Sequence, residues 1–576
     1  MILYPVSYSI ASKQRKRGCS FAVRDIGLNS LIAWFKSGFN KWRLAFLGFA
    51  IVYFLFLVFG VYQMFGLAHM SPQWDEVTNL NGGLMLLRGN FQQYLSWNSF
   101  YPPMYDLFTA GFFAVGGVSV FMGRFVSVVF SLLSVYAVFE FTYRIYGAKT
   151  GLLASILLAV MPGYVWLSRM AMIEPMLVFF FTVSTLFFFL WLKEHKNKFL
   201  ALTIVTFAVG VATKYQTVIV AVIAVVGLAV LGRDYLKMKF RTVSRLTLTV
   251  VAVVVPLVVV FYLLYTAGLL NQWLYAMNIG NPDKTLYSTG LDRFPAWFDP
   301  LPSWIRLSIF YLIEITEPYT NVHPISFLLY VVGLVGLGWL AVRHKAEDKY
   351  LLIWFVVVYI FFTAIPNRQW RYLIPVFPVL AISGAFLIIS ALEKSQKTWK
   401  LPHVSVSKKR LVQVAAGALI AFTLVGFYYS VNDAYSWVAK DQIYVPLQQA
   451  TDYVAIQLNP GESVMVLCPF NLIDQSMVWL YLNAKTSVNT QVYQYPEDPV
   501  DTYTPNFNMT VLVSECVAYN IKYLIVDEYG GSTYHYFGTT LNFEDFNQTL
   551  MSTGNFTYEP VTFWVAPARI FILTFS

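Results

Sequence analysis

Two adjacent acidic residues stand in a part of the chain that is otherwise largely apolar. Asp75 and Glu76 lie in the segment SPQWDEVTNLNGG (71–83), which follows a long apolar run. Neighbouring carboxylates oppose each other's ionisation, so the pKa of one of them can be raised. A carboxylate with a raised pKa is suited to accept a proton from a reacting hydroxyl. The pair therefore indicates acid–base chemistry, and the elements around it must decide where that chemistry occurs.

The composition indicates what kind of chain carries this pair. Of its 576 residues, 57% are hydrophobic and only 12% are charged, whereas soluble proteins carry about 25% charged residues. The net charge of +10 does not favour a nucleic-acid partner, because the basic residues gather in short loops between apolar runs. Three cysteines exclude a disulfide-rich scaffold and a four-cysteine metal site. The sequence predicts a membrane protein with several spans.

The apolar runs predict the positions of the spans, since a transmembrane helix needs about 20 apolar residues. The eleven predicted spans are 44–68, 121–143, 150–168, 175–192, 198–212, 215–231, 246–266, 324–342, 350–365, 372–391 and 411–430. Two further apolar segments, 103–117 and 303–316, are ambiguous. If neither of them spans, the Lys-rich and Arg-rich loops all fall on one side together with the basic N-terminus. Both are therefore predicted to be interfacial or re-entrant helices on the outer face.

The chain is predicted to have three parts. Residues 1–43 form a basic cytoplasmic N-terminus, residues 44–430 the membrane domain, and residues 431–576 a soluble domain outside the membrane. In the last part, LQQATDYVAIQL and NLIDQSMVWLYLN are typical of helices, while SVMVL and IKYLIVDEYGG are typical of strands. An α/β fold is expected there. Cys468 and Cys516 either form a disulfide or remain as buried thiols.

With this topology, charged residues gather at the outer face. The acidic pair lies in the first outer loop, 69–120, and further charges lie at the outer ends of the spans. These are Arg124, Arg169, Glu174, Lys214, Arg368 and Arg371. A charge at membrane depth costs roughly 2.5–3.5 kcal/mol on insertion scales and marks a candidate functional residue, although basic side chains at helix ends also reach lipid headgroups without another role. Carboxylates that handle a proton and cations that neutralise a phosphate would together form a site.

Several segments resemble a known family. They are WDEVTNLNGGLMLLRGN, YPPMYDLF, the run from FMGRFVSVV to IEPMLVFF, and RQWRYLIPVFPVLAISGAF. In this order they resemble the dolichyl-phosphate-mannose protein mannosyltransferases and the bacterial enzymes that add aminoarabinose to lipid A, which have the GT-C fold. The resemblance covers about residues 70–230 and 366–390. It implies a polytopic α-helical membrane protein of GT-C-like fold, with about eleven spans plus interfacial helices and a C-terminal extracytoplasmic α/β domain.

The resemblance also implies roles for individual residues. Asp75 matches the family's catalytic aspartate, Glu76 the second acid of the pair, and Arg124 a required arginine at the head of the second span. Glu174 stands where the family usually has an aspartate. Tyr101 replaces the histidine of a His-Pro-Pro motif, which puts an imidazole role at this position in doubt. The C-terminal domain does not resemble the mannosyltransferases' sugar-binding module, so the resemblance does not identify the acceptor.

The implied activity is the transfer of a hexosyl or pentosyl group from a polyprenyl phosphate, such as dolichyl or undecaprenyl phosphate, to an acceptor hydroxyl with inversion. Asp75 is expected to be the general base, with Glu76 and Glu174 positioning the acceptor or the base. Four cations are expected to bind the donor phosphate and to stabilise the leaving group: Lys214, Arg371, Arg124 and Arg169. Three residues are expected to line the substrate: Trp74, Tyr101 and Glu317.

The remaining expectations concern cofactors, partners and rival functions. No nucleotide-binding loop and no paired-histidine spacing appear, so no cofactor is expected, although some lipid-A-modifying relatives bind a metal. The expected partners are the polyprenyl-phosphate sugar, a protein, lipid or glycan acceptor, and the lipids of an archaeal or bacterial plasma membrane, without nucleic acid. A lipid-linked sugar flippase or a secondary transporter is the alternative, although transporters carry their charges near the bilayer midplane. A non-catalytic surface-layer or assembly protein is the second alternative.

Overall fold

The structure, a computed structural model, describes most of the chain outside the N-terminal segment. The described residues are 41–60, 66–67, 71–72, 74–97, 101–236, 241, 243–244, 247, 298, 300–316, 323–365, 368–399, 406–440, 444–467, 473–485, 489–495, 508–529, 543–565 and 568–576. Several sequence predictions lie outside them. Among these are the cytoplasmic N-terminus up to residue 40, nearly all of the predicted span at 246–266, and the pairing of Cys468.

Helices occupy the apolar runs. Numbered along the described residues, they are α1 (Lys41–Phe59), α2 (Trp74–Leu87), α3 (Phe91–Trp97), α4 (Met104–Gly116), α5 (Val120–Tyr146), α6 (Ala148–Ala159), α7 (Pro162–Ser168), α8 (Glu174–Glu194), α9 (Asn197–Thr213), α10 (Ile219–Leu236), α11 (Ser303–Glu314), α12 (Phe327–Arg343), α13 (Ala346–Ala364), α14 (Phe377–Trp399) and α15 (Val406–Lys440). Two 3₁₀ helices, Tyr215–Val218 and Trp370–Val376, lead into α10 and α14. Each predicted span within the described residues contains a helix.

The lengths and surfaces of these helices are those of a multi-pass membrane protein. Among the described residues, six helices are long and apolar enough to cross a membrane, or seven if the bent pair α6–α7 is one span. Large apolar side chains, including Val52 and Phe59 of α1 and Leu411 and Leu424 of α15, are exposed. Such apolar surfaces are unfavourable in water and suit contact with lipid. The prediction of a polytopic α-helical membrane protein is confirmed.

One predicted span is broken. Segment 150–168 forms α6 and α7, which meet at an angle of 71°. Pro162 is the first residue of α7, where its missing N–H costs little and its fixed φ favours the start of a new helix. A Cβ on Gly163 would lie 2.7 Å from the ring of Trp370, so only a glycine lets α7 approach the 3₁₀ helix Trp370–Val376 this closely. The bend therefore positions a segment that carries Arg371.

The C-terminal domain is an α/β unit, as predicted. Its helices are α16 (Leu447–Gln457), α17 (Gln475–Lys485), α18 (Met509–Ala518) and α19 (Phe543–Met551), and its strands are β1 (Ser463–Leu467), β2 (Val492–Tyr495), β3 (Ile521–Tyr529), β4 (Phe556–Val565) and β5 (Ala568–Phe575). The strand order is β2-β1-β3-β5-β4, with β1 parallel to β2 and β3, and β5 antiparallel to β3 and β4. The sequence predicts a solvated strand end at Asp527 and Glu528. That prediction is wrong, because both side chains are buried where β3 pairs with β5.

A buried apolar cluster joins the C-terminal domain to the membrane part. Apolar side chains of α2, among them Leu84 and Met85, share a cluster with Val478 and Trp479 of α17. Helix α15 also runs without a break past residue 431, where the sequence places the domain boundary. The C-terminal domain is therefore packed directly against the helix that begins at the acidic pair.

Candidate active site

The acidic pair lies in the first turn of α2. Carboxylates are favoured there because the helix dipole presents its positive end. Successive residues of a helix point about 100° apart, so Asp75 and Glu76 enter different surroundings. The side chain of Asp75 is 47% exposed, whereas that of Glu76 is completely buried.

Glu76 forms a buried ion pair with Arg124 of α5. The Arg124 Nε and Nη2 donate to Oε1 and Oε2 of Glu76 at 2.7 Å and 2.8 Å. The Oε1 atom also accepts from the backbone N–H of Ala171 at 2.7 Å, and Arg124 Nη1 donates to the carbonyl of Leu67 at 2.7 Å. Removing one partner of such a buried pair typically costs about 3–5 kcal/mol, because the other charge stays buried. The pair fixes α2 to α5.

Asp75 forms a different, more open ion pair with Arg371. The Arg371 Nη1 lies 2.5 Å from Asp75 Oδ2, and Arg371 Nε donates to Oε1 of Gln369 at 2.6 Å. The Arg371 side chain is 21% exposed. Because both side chains reach solvent, an anionic ligand can approach Arg371 and compete with the carboxylate of Asp75.

A second carboxylate and a second cation form a buried pair. Glu174 begins α8 and Lys214 follows the last residue of α9, so each charge lies at the helix end that favours its sign. The Lys214 Nζ donates to Glu174 Oε1 at 2.8 Å. Residues from two helix ends, 40 positions apart in the chain, therefore meet in one place.

Tyr101 lies where these two pairs approach each other. Burial raises the pKa of Tyr101, the carboxylates of Asp75 and Glu174 raise it further, and Arg371 opposes them. The phenol is therefore protonated at neutral pH. Two carboxylates, two cations and a neutral phenol make up the group that we call the charged cluster: Asp75, Glu174, Lys214, Arg371 and Tyr101.

Aromatic packing holds Arg371 in this cluster. The neighbouring Trp370 is buried, with its ring centroid 5.5 Å from that of Trp437 and 6.4 Å from that of Trp166. Trp354 of α13 donates from Nε1 to the carbonyl of Pro375 at 3.0 Å. Both ends of the 3₁₀ helix Trp370–Val376 are thereby fixed against other helices.

The remaining predicted site residues are Arg169, Glu317 and Trp74. Arg169, which caps the C-terminus of α7, lies beside Arg124, and burial together with Arg124 lowers the pKa of Arg169 to about 10. Glu317 and the side chain of Trp74 lie outside the described residues, while Glu314 at the end of α11 is buried. Within the described residues, no group of three or more His, Cys, Asp or Glu side chains is arranged to hold a metal ion.

Sequence reasoning missed two residues near these ion pairs, Tyr481 and Gln369. Tyr481 of α17 lies near the buried pair, since Arg124 and Glu76 both act on its pKa, which burial raises to about 12. Gln369, which accepts from Arg371, is two residues away in the chain and was identifiable only as a polar neighbour. No sequence pattern connects α17 with α2, because their contact depends on how the C-terminal domain docks.

Comparison with known proteins shows what the chain is similar to. Residues 101–265 match the model of the family described as dolichyl-phosphate-mannose-protein mannosyltransferase. No curated protein matches the sequence at a significant level. ArnT from Cupriavidus metallidurans in the apo state is similar in structure, with a TM-score of 0.54, 14% identity, and coverage of 92% of this chain and 97% of that chain.

Two further solved structures are similar. ArnT from the same organism bound to undecaprenyl phosphate has a TM-score of 0.51 and 14% identity, with coverage of 92% of this chain and 97% of that chain. The archaeal oligosaccharyltransferase AglB from Archaeoglobus fulgidus, in complex with an inhibitory peptide and a dolichol-phosphate, has a TM-score of 0.52 and 13% identity. The match covers 85% of this chain and 70% of that chain. At these identities the likeness establishes the fold.

Proposed function

We propose that this chain, which has the fold of the GT-C glycosyltransferases, transfers a sugar from a polyprenyl phosphate to an acceptor hydroxyl at the outer membrane face. The match to the mannosyltransferase family and the lipid phosphates in the two similar structures support a polyprenyl-phosphate donor. The observation that carries the proposal is the solvent-open ion pair of Asp75 and Arg371 beside the pair of Glu174 and Lys214. The proposed base and the two proposed phosphate-binding cations are thus adjacent.

The donor phosphate would bind Arg371 by replacing Asp75. A guanidinium matches a phosphate through two parallel hydrogen bonds, and the carboxylate that it leaves is half-exposed. Lys214, held by Glu174, would add a second positive charge near the leaving oxygen. Donor binding would therefore free the Asp75 carboxylate at the moment when a base is needed.

The chemical step is a single displacement. The acceptor oxygen attacks the anomeric carbon, its proton goes to the carboxylate of Asp75, and the bond between that carbon and the phosphate oxygen breaks. The phosphate leaves with the electron pair and is stabilised by Arg371 and Lys214. One displacement inverts the anomeric carbon. The neutral phenol of Tyr101 can donate a hydrogen bond within the charged cluster.

We assign positioning roles to Glu76, Arg124 and Arg169. The Glu76–Arg124 pair is buried and satisfied, so neither side chain is available to a substrate without a large cost. Arg169 is equally buried and lies against Arg124. These residues would hold α2 in place, so that Asp75 projects into the cluster.

The same proposal includes a membrane orientation. In this proposal the charged cluster and the C-terminal domain lie on the same side of the membrane, because the domain packs against α2, the helix that carries Asp75. We propose that this is the outer side of an archaeal or bacterial plasma membrane, with residues 1–43 in the cytoplasm and residues 431–576 outside. The acceptor would then be a protein, lipid or glycan outside the cell.

The Asp75→Asn variant tests the proposal. Asparagine keeps the size of the side chain but does not act as a base, so sugar transfer from a polyprenyl-phosphate donor is expected to fall at least about 100-fold. Binding of undecaprenyl phosphate, measured in detergent, is expected to be retained or tighter because Arg371 loses its competing partner. Arg371→Ala should instead weaken that binding. Undiminished transfer by Asp75→Asn would contradict the mechanism. Movement of lipid-linked sugar across the membrane of vesicles that contain only this protein would favour the flippase.

A further inference from the structure

A cavity of about 180 Å³ lies between α2, α3 and α17, where the C-terminal domain meets the membrane part. Six residues that line it are Thr78, Asn81, Gly82, Trp97, Gln475 and Ser476. Hydroxyl and carboxamide groups line one part of it, and the side chains of Met85 and Trp97 provide apolar surface. The cavity has room for roughly six waters, and none of the residues that bind the donor phosphate in our proposal lines it.

Asn81 lines this cavity and carries a hydrogen-bond acceptor that is enclosed by protein. Its Nδ2 donates to the carbonyl of Ser476 at 3.0 Å, which fixes the orientation of the amide. The residue is only 3% exposed, and Oδ1 has no hydrogen-bond partner among the described residues. A buried acceptor without a partner costs about 1–3 kcal/mol. The wall of the cavity therefore holds an acceptor that a ligand hydroxyl would satisfy once the amide turned toward the cavity.

Trp97 provides an aromatic surface at the same place. It is 39% exposed, although its ring centroid lies 5.5 Å from that of the buried Trp479. The Nε1 of Trp479 is also buried without a hydrogen-bond partner among the described residues. Aromatic faces offer apolar area with a fixed shape, which suits the C–H face of a sugar ring, while amides and hydroxyls suit its O–H groups.

The position on α2 connects this cavity to the candidate base. At about 100° per residue, Thr78 and Gly82 lie on the same side of the helix as Asp75, and Glu76 lies on another side. Thr78 is one turn from Asp75, roughly 4.5 Å along the axis, and Asn81 is roughly 9 Å away. A ring bound here can place a hydroxyl toward Asp75.

We propose that this cavity binds a sugar ring of the acceptor, so that the acceptor of the proposed transferase is a carbohydrate. The inference rests on the proposed function but concerns a different set of residues. The ring would pack on Trp97, form a hydrogen bond from one hydroxyl to the side-chain amide of Asn81, and direct another hydroxyl toward Asp75. Because the C-terminal domain supplies Gln475 and Ser476, docking of that domain completes the subsite.

Ligand binding can be tested without knowledge of the donor. The full-length Asp75→Asn protein in detergent is mixed with methyl glycosides of mannose, glucose, galactose and N-acetylglucosamine, and saturation-transfer NMR reports binding. At least one glycoside is expected to bind, and Asn81→Leu and the nearly isosteric Thr78→Val should each weaken it at least about 10-fold. Arg88→Ala is the control, since it removes a docking contact to Asn483 away from the cavity and should leave glycoside binding unchanged.

The outcomes separate this inference from the proposed function. Absence of binding by all four glycosides, or equal binding by Asn81→Leu and Thr78→Val, would overturn the subsite while leaving the Asp75 test of transfer intact. Equal loss in the Arg88→Ala control would assign the effect to docking and would also overturn the subsite. Adding dolichyl phosphate mannose should not displace the glycoside. Displacement would assign the cavity to the donor sugar and overturn an acceptor subsite.

Discussion

Asp75 and Glu76 are neighbours in the chain, but their carboxylates lie in different surroundings. Glu76 is enclosed and paired with Arg124, whereas Asp75 reaches solvent and pairs with Arg371. The difference follows from helix geometry, because adjacent residues point about 100° apart. One acid can therefore stabilise the helix while the other remains free to exchange its partner. This division separates a positioning role from the proposed catalytic one.

The buried pair allows a prediction about stability. Glu76→Gln leaves the charge of Arg124 buried without a counter-charge, so the free energy of unfolding should fall by about 3 kcal/mol. Thermal unfolding in detergent measures this change. Glu347→Gln is the matched control, because Glu347 pairs with Lys193 at 3.5 Å in a partly exposed position, where less than about 1 kcal/mol is expected. Equal effects of the two variants would show that the buried pair has no special structural role.

At the scale of elements, close packing between α2 and α4 determines where Asp75 projects. A Cβ on Gly83 would lie 2.5 Å from Cγ2 of Thr109. That methyl group cannot move away easily, because Thr109 is β-branched and its hydroxyl donates to the carbonyl of Tyr105 at 3.0 Å. Gly83 thus sets the distance between the two helices. A larger residue would shift the helix that carries Asp75.

Two glycine substitutions test this packing. Gly83→Ala should lower the unfolding temperature, because overpacking typically costs about 1–3 kcal/mol, and it should reduce sugar transfer. Gly111→Ala in α4 is the matched control, since no atom lies within 4 Å of its added Cβ. Alanine is favoured over glycine in a helix by about 1 kcal/mol, so this variant should be slightly more stable. A stable and fully active Gly83→Ala protein would contradict the packing argument.

The 3₁₀ helix Trp370–Val376 positions Arg371, as the packing of α2 against α4 positions Asp75. Its residues are held by Gly163 on one side and by Trp354 on the other. Arg371 is thereby presented to Asp75 from a segment that is fixed by packing against two other helices. The bend between α6 and α7 is part of this arrangement, because it brings Gly163 against Trp370.

At the scale of the whole molecule, the C-terminal domain is a structural part of the site. It shares a buried core with α2, its Tyr481 lies near the Glu76–Arg124 pair, and Ser71 and Val445 exchange hydrogen bonds between the two parts. Removal of the domain would expose the apolar face of α2 to water. Burial of one large apolar side chain contributes about 1.5–3 kcal/mol. Exposing several of these side chains would therefore cost more than the free energy of unfolding of a typical protein.

Truncation after Lys440 tests this dependence. The shortened chain should unfold at a lower temperature than the full chain and should transfer no sugar, because α2 loses the packing that fixes Asp75. Full-length Asp75→Asn is the control, since it should lose transfer while keeping the normal unfolding temperature. An unchanged unfolding temperature for the truncated chain would show that the C-terminal domain is an independent appendage.

Much of the candidate site was predictable because it depends on local features. Apolar run lengths fix which segments become helices, and the clustering of Lys and Arg in short loops predicts which helix ends share a side. Asp75, Glu174, Lys214 and Arg371 were selected on this basis, and the structure brings all four together. Whether they act as predicted is for the variants to decide. The bend between α6 and α7 escaped prediction, because the continuous apolar run 150–168 outweighed Pro162.

The sequence by itself determined that this chain is a polytopic membrane protein with a C-terminal α/β domain and charges at the ends of its helices. Hydrophobic periodicity and composition are local properties of the sequence, so they can be interpreted without knowledge of the fold. Only the tertiary structure decided that Glu76 pairs with Arg124, that Asp75 pairs with Arg371, and that α17 closes a cavity beside α2. Such pairings join residues that are far apart in the chain, and their partners depend on packing and burial, which no local pattern encodes.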